Sequence, residues 1–183
     1  SLQSHWAGLR FLNKGECEYL LMNSFCSISG AMGALDTEMQ ALAVVRQPIL
    51  ICGEPGTGKE QIARFLYLHS SLSNNAFVAV DCALMNDKSW DFLLNHYNSP
   101  LNATGNTVYF QNLETMTEPR ALELLAAIQE TGLARRVRLL FSCACRDGEP
   151  VPDMMRRFNA RLGCLVLNLP PLRDCPQDIM PLT

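Results

Sequence analysis

The chain has 183 residues and a mass of 20.4 kDa, a length that suits one domain with a sizeable core. Lys plus Arg number 15 and Asp plus Glu 18, for a net charge of −3 and a pI near 5.6, which argues against a bulk electrostatic nucleic-acid binder. Charged residues make up 18% of the chain, against roughly 25% in an average soluble domain, so either some surface is normally covered or charges are missing where a relative would carry them.

Residues 1–25 are ambiguous, with a helix readable over Glu16–Met22, and Met32–Val45 reads as a second helix. Ile49–Cys52, Phe77–Val80, Thr107–Phe110, Arg138–Cys143 and Cys164–Leu169 are short apolar runs that suit buried strands. Between them Lys59–His69 and Pro119–Glu130 carry the apolar spacing of amphipathic helices. Trp90, Phe92, Leu93, Leu94 and Tyr97 form an apolar cluster that reads as a helix packed on the sheet or as a partner surface. Asn95–Asn106, rich in Asn, Ser, Pro and Gly, reads as the loosest segment. Strands alternating with helices imply a parallel α/β sheet covered on both faces, with five strands.

No apolar run approaches the roughly 20 residues of a membrane span and the N-terminus lacks a signal-peptide pattern, so a cytoplasmic location without membrane contact is expected. The eight cysteines include no C-x-x-C pair and read as buried free thiols. His5, His69 and His96 lack metal-ligand spacing, and no metal cluster is expected from the sequence.

Ile49-Leu50-Ile51-Cys52 runs into Gly53-Glu54-Pro55-Gly56-Thr57-Gly58-Lys59-Glu60-Gln61 and then into a helix. Strand, glycine-rich loop and helix in that order make an anion site: the loop turns its N–H groups inward, the helix N-terminus adds positive dipole, and Lys59 reaches the β and γ phosphates. The generic pattern places Ser or Thr after the lysine to hold magnesium, and here Glu60 stands there.

GEPGTGKE followed by QIARFLYLHSS resembles the nucleotide loop and first helix of the AAA+ domain of sigma-54-dependent transcriptional activators, in which glutamate after the lysine is normal. Phe77–Leu84, Leu124–Glu130 and the ending Leu169-Pro170-Pro171-Leu172-Arg173 with Asp178-Ile179 continue the likeness from about Ser27 onward. The resemblance implies a three-layer P-loop NTPase fold over residues 27–183, with residues 1–26 as linker or the end of an upstream region. It also implies ATP, with weakly held Mg2+, as the cofactor of residues Gly53 to Gln61.

Several working parts of that family are altered. The Asp-Glu pair that ends the family's third strand, one residue for magnesium and one for the attacking water, is Gln111-Asn112 here. An amide orients water but takes no proton, and general-base help is commonly worth about 10²–10⁴ in rate. Asp81 stands where the family has Asn, and Ser142–Cys145 offers no sensor amide. The GAFTGA insertion that grips sigma-54 is absent between Cys82 and Gly105, which makes sigma-54 engagement by that route doubtful. Arg161 matches one of two arginines that act across the family's ring interface, and reads equally as a surface arginine.

These residues point to a degenerate module of a bacterial transcriptional regulator, with nucleotide binding retained or vestigial and hydrolysis impaired. Its expected partners are other copies or AAA+ subunits, and DNA only through a domain outside the chain; no helical lid follows the ending. Two alternatives stay open: an active ATPase in which Asp81 or Glu114 supplies the lost charge, and a P-loop kinase of small molecules.

Overall fold

A computed structural model describes residues 6–22 and 37–171. Residues 1–26 hold a strand, β1 (Leu9–Leu12), and a helix, α1 (Lys14–Met22). Helix α2 is described over residues 37–43. There follow β2 (Ile49–Gly53), α3 (Lys59–Leu68), β3 (Phe77–Asp81), α4 (Asp87–Asn95), β4 (Thr107–Gln111), α5 (Glu118–Thr131), α6 (Leu133–Arg136), β5 (Arg138–Ala144), α7 (Asp153–Leu162) and β6 (Leu165–Asn168). The N-terminal part of the helix expected over Met32–Val45, the residues after Pro171, and His5, Cys26 and Cys175 lie outside the described residues.

The sheet has six strands in the order β1-β3-β4-β5-β2-β6. Five of them, β2 through β6, are parallel as expected. The sixth, β1, pairs antiparallel with β3, with Leu9 opposite Val80 and Leu12 opposite Phe77. Leu-Arg-Phe-Leu is too short to announce itself as a strand, but its two leucines fill the ends of the sheet while Arg10 faces out. Trp6, just upstream, stacks on Phe92 of α4 with ring centroids 4.1 Å apart.

Alternating strand residues divide the interior into two apolar clusters. Leu50, Val78, Val108, Leu139 and Phe141 meet α4, α5 and α7 through Trp90, Leu93, Leu124, Ile128 and Phe158. Ile49, Ile51, Ala79, Tyr109 and Leu140 meet α1, α2 and α3 through Cys17, Met39, Ile62 and Leu66. This is the three-layer arrangement.

Trp90, Phe92 and Leu93 are buried, so the cluster on α4 is core, and only its end, Tyr97, is exposed. Asn86 and Ser89 cap that helix reciprocally, each side chain accepting from the other's backbone N–H. Asn95–Asn106, expected to be loose, is tied down: Pro100–Asn102 forms a 3-10 turn, and Asn106 Nδ2 donates to Pro100 O while its Oδ1 accepts from Ala76 N. The polar residues there serve the turns, and Leu101 inserts into the core.

Arg138 opens β5 and is only 1% exposed. Its guanidinium donates to the carbonyls of Leu66 (3.0 Å) and Leu42 (2.7 Å), capping the C-terminal ends of α3 and α2. Burial, with the like charge of Arg46, lowers its pKa to about 10.

Candidate nucleotide-binding site

Strand β2 ends at Gly53, and the chain then turns through Glu54–Gly58 into the N-terminus of α3. Gly56 and Gly58 take φ of 82° and 87°, a region glycine enters without the steric cost of a Cβ. At Gly53 a Cβ would lie 2.6 Å from Thr57 Oγ1, so only glycine fits under the loop. Thr57 closes the loop from inside, its hydroxyl donating to Glu54 O at 2.7 Å. No side chain caps α3; Gln61 N donates to Gly58 O at 3.0 Å, and the N–H groups ahead of it are left for an external acceptor. Lys59 Nζ donates to the carbonyls of Gly53 (3.1 Å) and Glu54 (3.0 Å), folding back over the loop. Burial lowers the lysine's pKa, and Glu114 is the foremost group acting in the opposite direction.

Above the loop lies a cavity of about 520 Å³. Pro55, Gly56, Gly58, Lys59, Glu60, Gln61, Gln111 and Asn112 line it, together with Tyr109, Glu114, Ser142, Ala144 and Arg146. Gly53, Glu54 and Thr57 form the loop's underside. Sequence reading missed Tyr109 and Arg146, because the β4 and β5 ends converge only in the folded sheet; Glu114, named there as one acid that would replace the lost charge, does line this wall. Tyr109 OH donates to Ser142 Oγ at 2.8 Å inside the wall. A second cavity of about 650 Å³ shares Glu60 and Gln111 with the first.

Strands β3 and β4 pair Asp81 with Gln111, and Asn112 Nδ2 donates to Asp81 Oδ1 at 2.7 Å. The same carboxylate oxygen accepts from Ala83 N at 3.0 Å. Gln111 Oε1 is buried without a hydrogen-bond partner. Arg161 lies elsewhere, on the face shared by α5 and α7, where its Nε donates to Gln129 Oε1 at 3.1 Å.

The loop fits nucleotide phosphates: its glycines, its open helix terminus and its lysine are all in place. The neighbouring acceptors fit a magnesium ion poorly, since Gln111 and Asn112 are neutral. Among the described residues there is no group of three or more His, Cys, Asp or Glu arranged to hold a metal ion, and no helix is long and apolar enough to cross a membrane.

Residues 25–95 match the family described as Sigma-54 interaction domain. The HTH-type transcriptional regulatory protein TyrR of Salmonella typhimurium is 28% identical over 96% of this chain and 38% of its own length. TyrR of Citrobacter braakii is 30% identical over 86% of the chain and 34% of the relative. The Psp operon transcriptional activator of Escherichia coli is 29% identical over 78% and 51%. The chain thus spans little more than a third of the TyrR proteins it matches. Among solved structures, NtrX from Brucella abortus in complex with ATP superposes with a TM-score of 0.66 at 24% identity, covering 83% of this chain and 40% of that one. The P-loop NTPase domain of an Escherichia coli sigma-54 activator superposes at 0.52 with 15% identity, over 77% and 95%. In sequence the chain is similar to the sigma-54 interaction domains of bacterial transcriptional regulators, and its fold is that of the P-loop NTPases.

Proposed function

We propose that the chain is a regulatory nucleotide-binding module of a transcriptional regulator, which holds an adenine nucleotide at Gly53–Gln61 and turns it over slowly or not at all. The observation that carries this reading is the contrast within one cavity: an intact loop with Lys59 beside the two amides Gln111 and Asn112. A bound nucleotide would bring the reactive phosphates; the loop N–H groups and Lys59 would orient them, and no acid at the end of β4 would take a proton from water. The Asp81–Asn112 hydrogen bond keeps β3 and β4 tied while directing the carboxylate at the end of β3 at an amide.

Engagement of sigma-54 through a GAFTGA loop is left out of this proposal, since the segment between Cys82 and Gly105 carries no such motif and α4 is followed by a short, hydrogen-bonded turn toward β4. Self-association is the favoured partnership, with Arg161 on the α5–α7 face offered to a neighbouring copy. A cytoplasmic location follows from the regulatory role. Titration of a fluorescent ADP analogue against the protein and its Lys59→Ala variant tests retention of binding. Saturable binding, weakened at least about tenfold by the substitution, is the expected result, and equal binding by both proteins would sink the reading.

A further inference from the structure

Glu114 brings a negative charge into this cavity from an element with no nucleotide-binding pattern of its own. It sits on the 3-10 turn Leu113–Thr115, which leaves β4 through Asn112. The turn is fixed: Leu113 is fully buried, Thr115 N donates to Asn112 O at 2.9 Å, and Met116 N donates to Leu113 O at 3.1 Å. The carboxylate is fixed in turn, since Glu114 Oε1 accepts from Ala144 N at 3.0 Å. Ala144 ends β5 in register with Gly53 of β2, and the carbonyl of Gly53 anchors Lys59 Nζ. The acid and the loop lysine are therefore held from adjacent residues of neighbouring strands, on the wall of one cavity.

The charges in that wall balance. Lys59 and Arg146 are cationic, Glu60 and Glu114 anionic, and Gln111 and Asn112 neutral. In a P-loop the backbone N–H groups cradle the inner phosphates while the lysine reaches the β and γ positions. A terminal phosphate approaching Lys59 thus meets Glu114 as well. A dication would ordinarily absorb that repulsion, and the acids that would hold one at the end of β4 are amides. Like charges a few ångströms apart in a partly desolvated cleft repel by more than thermal energy.

We propose that Glu114 makes this site selective for a nucleoside diphosphate bound without a metal ion: its fixed carboxylate takes the place of negative charge that a γ-phosphate would bring. The inference rests on the nucleotide reading above and adds the class of ligand. Selectivity arises by exclusion at the outer phosphate, while the loop supplies the affinity for the inner ones.

Calorimetric titration of the protein with ADP and with ATP, each in EDTA and again with Mg2+, tests it alongside Glu114→Gln. Glutamine retains an oxygen for Ala144 N–H, so the turn is preserved, and Glu114→Ala provides a second variant without the carboxylate. Expected are ADP binding at least about tenfold tighter than ATP under both conditions, and ATP binding tightened about tenfold in both variants with ADP changed less than about twofold. The inference is overturned if wild-type protein binds ATP as tightly as ADP, or if the ratio is unmoved in both variants. It is also overturned if Mg2+ tightens ATP binding in a manner that Glu114→Gln abolishes, for that outcome makes the carboxylate a cation ligand. Absence of binding by either nucleotide, in protein that unfolds cooperatively, overturns the nucleotide reading itself.

Discussion

Asn112 has φ of 60°, the left-handed region, and is the only non-glycine residue among those described with a positive φ. Asn enters that region readily because its short amide bonds locally, whereas most side chains pay about 1–2 kcal/mol there. The residue type therefore answers two local demands, the turn that launches Glu114 and the hydrogen bond to Asp81. Replacing Asn112 by Glu puts a longer side chain at φ 60° and a second carboxylate beside Asp81. Urea unfolding of Asn112→Glu is expected to show a loss of at least about 1 kcal/mol, while Gln111→Asp is expected to cost less. The thiols give a second prediction at this scale. Burial raises Cys17 and Cys164 to about 11 and Cys82 to about 12, and pushes Cys52 and Cys143 up as well. Thiolate is the nucleophile, so Ellman's reagent at pH 8 should label these five slowly in native protein and rapidly in urea. Because their folded pKa values lie above the unfolded value of 9.0, their stabilising contribution is complete below pH 9. It is lost as pH rises from 9 toward 11–12.

At the scale of elements, the strands were legible because each is an apolar run bounded by turn residues, and β2–β6 fall within a residue or two of the expected limits. The apolar residues of helix α4 read more readily as a face packed on the sheet than as a partner surface, and the burial of Trp90, Phe92 and Leu93 agrees with the packing. Leu93→Ala is accordingly expected to lower the unfolding free energy by about 2–5 kcal/mol, as a packing role requires. Strand β1 was illegible, since four residues with one exposed arginine fit a loop or a helix end just as well. Arg138 was legible as a strand residue but not as a cap, because Leu42 and Leu66 are 96 and 72 residues away along the chain. Its replacement by Leu leaves two carbonyl groups without their donors and is expected to cost about 3 kcal/mol. The phosphate loop was readable throughout, being a local pattern. Glu114 and Arg146 joined the site only through the parallel register of β4, β5 and β2.

For the whole molecule, the low charged fraction has a concrete local component: two amides stand at the end of β4, where the resemblance led one to expect two acids. Faces that the resemblance assigns to neighbouring copies, including that around Arg161, offer a second place for uncharged surface. Both bear on the central proposal, that a phosphate loop stands beside a β4 end with no acid to activate water. Steady-state phosphate release from saturating ATP and Mg2+ tests that claim most directly. Turnover below about 0.01 per second is expected, at least a hundredfold under the roughly one per second at the low end of ordinary enzymes. Turnover near one per second, abolished by Asp81→Asn or Glu114→Gln, would contradict the account and make the displaced carboxylates the working acids of an active ATPase.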